Sequence, residues 1–314
     1  MPRAASKRRT PKPQGIRRVL GWIVRAILIF LLGSVLWVLL YRFANPPITI
    51  TQASDVLSGR HLSRDWMAIE EIDHDMKRAV IAAEDSKFCA HWGFDQDAIA
   101  EAMRRNAKGG SVIRGGSTIS QQTAKNAFLW QGGGYFRKGL EAWFTLLIEN
   151  LWSKQRIMEV YLNLAETGIG TYGVNAGAQR YFDKDASGLT RTEAARIAAV
   201  LPLPKRREAV APSGFTRRYG NSIVARIGVV QRDRLDSCVY GNGDTPSAPD
   251  HLEEPVRRTK ARAKVGTPLP ERPPALEPGL DYEEEPAAAA PVPIPAEDAS
   301  PAPEAEPSPE DNAF

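Results

Sequence analysis

The feature that most limits what this chain can become is a nearly unbroken apolar run from Leu20 to Tyr41: Leu-Gly-Trp-Ile-Val-Arg-Ala-Ile-Leu-Ile-Phe-Leu-Leu-Gly-Ser-Val-Leu-Trp-Val-Leu-Leu-Tyr. About 20 apolar residues cover the hydrocarbon core of a bilayer, so 20–41 is expected to be a transmembrane anchor. Arg25 lies near one end, where its stem can carry the charge to the headgroups. Trp22, Trp37 and Tyr41 suit the two interfaces. A buried core helix of this length would carry a polar face, and a cleaved signal peptide would have a shorter apolar region with a small-residue cleavage site. Arg3, Lys7, Arg8, Arg9, Lys12, Arg17 and Arg18 come before the run. The positive-inside rule then puts the basic arm, 1–19, in the cytoplasm and the rest of the chain beyond the membrane.

That placement bears on the two cysteines, Cys89 and Cys238, which would stand in an oxidising compartment. A disulfide is open to them. Cys89, however, falls inside a carboxylate-bearing motif, and the expectation is a half-buried free thiol. Neither cysteine has metal-ligand spacing. The net charge of +4 is modest and weighted towards the arm, which speaks against a nucleic-acid partner.

Residues 46–241 are expected to form one mainly α domain, large enough to bury a core. Ile72, Met76, Ala79, Val80 and Ala83 follow helical spacing and deliver Glu84 at a helix C-terminus. Asp95 can cap a following helix, with Ile99, Ala102 and Met103 turned inward. The stretch 107–115, with its three glycines, is read as a loop. Thr118-x-x-Gln121 is a capping-box pattern beside Gly115 and Gly116, and a helix start of this kind favours anions. The plainer reading is a glycine turn with a good cap. From Arg137 to Trp152, Leu140, Trp143, Phe144, Leu147, Ile148 and Leu151 form an apolar face. Glu141 falls on its border, while Glu149 is expected on the opposite side. Here too a plainer reading exists, a border glutamate paired with Arg137 or Lys138. Further helices are expected over 153–164, from the capping box Thr190-x-x-Glu193 to Pro202, and over 217–236. From Asn242 to Phe314, Pro, Ala and Glu dominate, and a disordered tail is expected.

The residues from Ser63 to Gly220 resemble a known family. Glu84-Asp85-x-x-Phe88-x-x-His91-x-Gly93, then Gly115-Gly116-Ser117-Thr118-Ile119-Ser120-Gln121-Gln122-x-x-Lys125-Asn126, then Arg137-Lys138-x-x-Glu141, are similar to its first three motifs. Ser153-Lys154-x-x-Ile157-x-x-x-Tyr161-Leu162-Asn163 and Gly173-x-x-x-Gly177-Ala178-x-x-Tyr181-Phe182 are similar to the fourth and fifth. The family is the glycosyltransferase domain of peptidoglycan synthases, glycosyltransferase family fifty-one. The likeness is to its membrane-anchored, monofunctional form, since no Ser-x-x-Lys of a transpeptidase occurs in the chain.

The resemblance implies a lysozyme-like fold, with the anchor in the bacterial inner membrane and the catalytic domain in the periplasm. It also implies lipid II and the growing glycan strand as substrates, and a divalent cation, usually Mg2+, on the substrate diphosphate. Other wall-synthesis or division proteins are conceivable contacts. The resemblance makes Glu84 the general base for the attacking 4-hydroxyl and gives Glu141 a supporting role at the metal or leaving group. The leaving diphosphate would meet Lys125, Arg137 and Lys138, helped by the metal, with either Arg114 or the metal making up for an arginine that this chain lacks, or else a lower donor affinity. Gly116, Ser117, Thr118, Gln121, Gln122 and Asn126 would line the groove. Asp85, Phe88, His91 and Gly93 would support the first motif. The chain departs from the family where an arginine is usual between the second and third motifs. Gly133 stands there, and an arginine introduced at Gly133 is expected to be tolerated or to improve donor use. A lysozyme-like hydrolase and a non-catalytic envelope scaffold are the competing readings. The glycine turn with Lys125 argues against the first, and two placed carboxylates argue against the second.

Overall fold

The computed structural model describes residues 14–107 and 116–240. The expectations for the basic arm's first residues, for Arg114 and Gly115, and for the tail from 242 lie outside the described residues.

Helix α1, Gln14–Phe43, contains the expected span. Its apolar window is only 11% buried, and Leu20, Ile23, Ile27 and Leu28 are exposed. The helix is long and apolar enough to cross a membrane, and this exposed surface is not that of a buried core helix. Its last turns behave differently, because Ser34, Val38 and Tyr41 are buried against the domain. The Trp143 indole N–H donates to Ser34 Oγ at 3.0 Å, and that of Trp152 to the Val38 carbonyl at 2.8 Å. Trp37 meets Phe128 and Phe144 edge-on, and those two rings stack with centroids 4.7 Å apart.

Helix α2, Ile50–Leu57, opens on a capping box formed by Thr49 and Gln52. Strand β1, Ser63–Arg64, leads to α3, His74–Glu84, which Asp73 caps. The expected core face of α3 is buried at Met76, Ala79, Val80 and Ala83. Helix α4, Gln96–Ala107, follows, with the Ala98 N–H bonded to Asp95 Oδ1 at 3.0 Å. Met103 does not turn inward and is 66% exposed. Gly116 comes so close to Ala98 and Ile99 that a Cβ would lie 3.1 Å from the Ala98 carbonyl oxygen. The helix therefore meets the body along its first turn and leaves its distal face in solvent.

The remaining helices are α5, Ile119–Phe128; α6, Gly134–Leu151; and α7, Lys154–Leu164. Strands β2, Glu166–Gly168, and β3, Thr171–Tyr172, precede α8, Val174–Phe182, α9, Arg191–Val200, and α10, Gly214–Arg232. The sheet has the order β1-β3-β2, with β1 parallel and β2 antiparallel to β3. Helix α5 packs on α6 and α7, and α3 packs on α9 and α10. The mainly α expectation matches the fold of the described residues.

The cysteine expectation is corrected. Cys89 and Cys238 form a disulfide across 149 residues of sequence, with Cα atoms 5.4 Å apart. A 3-10 turn at Ser237–Val239 packs against α7 and brings the Cys238 N–H within 3.2 Å of Cys89 Sγ. No local pattern announces such a return of the chain end.

Candidate active site

The N-terminal turn of α5 is the common wall of the site. Thr118 forms both bonds of the expected capping box with Gln121, which accounts for orphan donors that any helix start leaves. A third donor, the Ile119 N–H, goes to Asp85 Oδ2 at 3.0 Å. Asp85 also bonds His91 Nε2 at 2.9 Å, and the Thr118 hydroxyl donates to the Gly93 carbonyl at 2.7 Å. Gly93 has φ +79°, and a Cβ there would lie 2.8 Å from Thr145 Cγ2, so only glycine lets this loop lie on α6. Phe88 is fully buried beneath it. These contacts lock the segment after α3 onto α5 and α6.

Glu84 emerges from that lock. Gln122 Nε2 donates to its Oε2 at 2.8 Å, while its Oε1 is shielded from solvent and has no hydrogen-bond partner. The residue as a whole keeps some exposed surface. The Gln122 amide is oriented from behind by Tyr161, whose hydroxyl lies 3.4 Å from Gln122 Oε1. Burial pushes the Glu84 carboxyl above its ordinary value, and the Gln122 bond and the charges of Arg207 and Lys125 oppose that push. Burial and then the Glu84 charge raise the Tyr161 phenol well above its usual range, so it remains a donor. Lys125 and Asn126 follow Gln122 at helical spacings that share a face.

Glu141 is buried in α6 and is held by two cations. Arg137 Nη1 donates to its Oε2 at 3.1 Å, and Lys138 Nζ to its Oε1. Lys138 also reaches Ser117 Oγ at 3.2 Å, which ties the third motif to the start of α5. The pairing foreseen in the plainer reading of Glu141 is therefore present. Arg137 is additionally bonded to the Gly132 carbonyl. Lys138, at 47% side-chain exposure, is the more available cation.

Two expectations change here. Glu149 does not point away, because its side chain is 4% exposed and takes bonds from Ser120 Oγ and from Lys154 Nζ, the latter at 2.8 Å. The helix is buried on more than one side, since α5 and the Gly93 loop both lie against it, so a single apolar stripe misjudges where water is. Gly133 cannot simply become arginine. It caps α6 with φ +91°, and a Cβ would lie 2.9 Å from Trp130 Nε1 and 3.0 Å from Arg137 Cβ. The sequence reading also passed over Arg207 and Tyr219. The charge of Arg207 acts on Glu84, and that of Glu84 acts on the Tyr219 phenol, yet neither residue belongs to a motif or a periodic face.

A resident metal does not fit these residues. Among the described residues no three His, Cys, Asp or Glu side chains gather, and both oxygens of Glu141 already hold cations. Magnesium keeps several waters and takes one or two carboxylates with phosphate oxygens, which suits an ion carried by a substrate.

A family model described as Transglycosylase matches residues 51–227. The chain is 48% identical over 225 residues to a biosynthetic peptidoglycan transglycosylase of Caulobacter vibrioides, covering 71% of this chain and 98% of that one. It is 47% identical over 232 residues to the protein of that name from Xanthomonas axonopodis, covering 70% and 89%. A third, from Pseudomonas syringae, is 49% identical over 209 residues, covering 65% and 88%.

Proposed function

The chain belongs to the transglycosylase family and is a peptidoglycan glycosyltransferase that polymerises lipid II, and we propose which of its residues do the chemistry. An α-linked donor and a β-linked product require inversion, so a single displacement suffices and no covalent intermediate is needed. Glu84 is the general base that takes the proton of the attacking acceptor hydroxyl. A hydroxyl is a weak nucleophile at neutral pH and needs a base within hydrogen-bond reach. The observation that carries this assignment is the Glu84 carboxyl itself. One oxygen is fixed by Gln122, and the other is buried and unpartnered. A raised carboxyl also matches base strength to working pH better than an ordinary one.

Lys125 and Lys138 neutralise charge on the departing diphosphate. Glu141, clamped by Arg137 and Lys138, holds those cations in register. The divalent cation is proposed to arrive on the diphosphate, and no step is routed through it. Helix α1 is read as the anchor, with the N-terminus cytoplasmic and the catalytic domain on the outer face of the inner membrane. Two observations support that orientation: the cationic run before the span, and the disulfide, which belongs to an oxidising compartment.

The test is Glu84→Gln, which keeps shape and removes the proton acceptor. Initial rates on labelled lipid II should fall about a hundred-fold or more, the loss expected of a missing general base. Circular dichroism should be unchanged. A variant that retained more than about a tenth of the rate, a difference under about 1.4 kcal/mol of barrier, would rule Glu84 out as the base. For orientation, an alkaline-phosphatase fusion after Tyr240 should be active in intact cells, and an inactive fusion would reverse the topology.

A further inference from the structure

Tyr219 bonds the end of the helix that carries Glu84, and Arg207 packs on Tyr219. The Tyr219 hydroxyl donates to the Ala83 carbonyl at 2.8 Å. That carbonyl is among the last of α3 and has no partner within the helix turn beyond it, so the bond fixes the helix end that presents Glu84. Arg207 lies against the same ring, its guanidinium carbon 5.9 Å from the Tyr219 centroid and 5.0 Å from that of Phe215. Its Nη1 donates to the Ala199 carbonyl at 2.8 Å. One carbonyl and two ring faces hold the guanidinium. Among the described residues it has no ion pair with a carboxylate; burial lowers its pKa, and the Tyr219 phenol and then the Glu84 carboxyl oppose that.

We propose that Arg207 is a positioning residue for Glu84: held by Ala199, Phe215 and Tyr219, it braces the ring that fixes the end of α3 and sets a positive charge near the carboxylate which that helix end presents. The proposal rests on Glu84 being the base. The groups that face Glu84 are Asp85 at the end of α3, Lys125 on α5, Tyr161 on α7, Tyr219 on α10, and Arg207 on the segment between α9 and α10. Asp85 is already engaged by His91 and Ile119. Both phenols are pushed upward by burial first and then by Glu84, so they stay neutral. Lys125 and Arg207 are left as the two cations that favour the ionised base. Lys125 also lies on the proposed leaving-group face, whereas the contacts of Arg207 are the Ala199 carbonyl and the Phe215 and Tyr219 rings, none of them a proposed diphosphate contact. Arg207 can therefore be altered with the diphosphate contacts left in place.

The experiment is the pH dependence of kcat and kcat/KM on labelled lipid II, using the full-length protein in detergent. Wild type should lose rate on the acid side as Glu84 protonates. Arg207→Met, which removes the charge and keeps much of the bulk, should move that acid limb up by about one pH unit or more, as loss of a nearby opposite charge does. Its rate should return to within about a factor of three of wild type on the high-pH plateau, with KM little changed. Arg207→Lys should leave the limb near wild type. A limb that stays in place in Arg207→Met, or a loss equal at every pH, would overturn the proposal. So would a raised KM with an unmoved limb, which would make Arg207 a substrate contact. Failure of the underlying assignment looks different: Glu84→Gln would then keep the wild-type limb.

Discussion

A buried acid is useful to this enzyme only while something opposes its burial. At Glu84 that opposition comes from the Gln122 amide, Arg207 and Lys125. At Glu141 it comes from Arg137 and Lys138. The same close fit limits what can be engineered. Gly133 adopts a left-handed conformation, and a Cβ would press on Trp130 and on Arg137, which holds Glu141. Gly133→Arg should therefore lower the melting temperature, through backbone strain on the order of 1–3 kcal/mol, and should slow polymerisation through displaced Arg137. Thermal unfolding and initial rates check this, and a variant as stable as wild type with faster turnover would overturn it. Glu84 was legible in the sequence because its signal is local, a periodic helix that ends there; Gln122 stands one place past the capping box of Thr118 and Gln121 and was legible only through the resemblance of its motif. Arg207 and Tyr219 were not. They reach Glu84 only because α10 packs on α3, and no pattern in either segment encodes that contact.

At the scale of elements, helix starts were the readable part. Thr118, Ser153 and Thr190 each accept a backbone N–H at the head of their helices, because capping depends on residues three positions apart. Ends that depend on distant partners were not readable. The 3-10 turn at Ser237–Val239 is held on the first motif by Cys238, and the cysteine partner lies at the other end of the domain's sequence. The disulfide joins the segment that follows Glu84 to the domain's last turn, so it should support both stability and the shape of that segment. Replacing both cysteines by serine should destabilise the purified protein by about 2–5 kcal/mol, the usual range for a native disulfide in a small domain. Dithiothreitol should lower the melting temperature of wild type and leave the double variant unchanged. Equal melting temperatures for oxidised and reduced wild type would show that the link is dispensable.

On the scale of the whole molecule, the anchor meets the domain through α1 and α6, and the chain then passes through α2 to the small sheet. Glu166 sits at that last junction. Its Oε1 is buried without a partner, and its Oε2 is 3.8 Å from Lys205 Nζ. Across from it, Asp55 of α2 takes the Tyr172 hydroxyl at 2.6 Å and Arg60 at 2.5 Å. Burial, with Lys205 opposing and Asp55 assisting, raises the Glu166 carboxyl from 4.5 to about 7. A raised carboxyl means that the folded state binds its proton more tightly than the unfolded chain. Its contribution to stability is complete below about pH 4.5 and is lost as pH climbs towards about 7. The loss amounts to roughly 3 kcal/mol at about 1.4 kcal/mol per pKa unit, trimmed a little because the side chain is 13% exposed. Paired carboxylates elsewhere change stability with the opposite sign, so the curve of wild type alone does not isolate this group. Glu166→Gln does, since the amide stays neutral throughout. Below about pH 5 the variant should melt close to wild type, and above about pH 7 it should be the more stable of the two. The difference should open across that interval. Melting temperatures of the detergent-solubilised proteins measured every half unit check the expectation. A difference that stayed constant with pH would mean that Glu166 titrates alike in the folded and unfolded chain, with Lys205 and Arg60 balancing its burial.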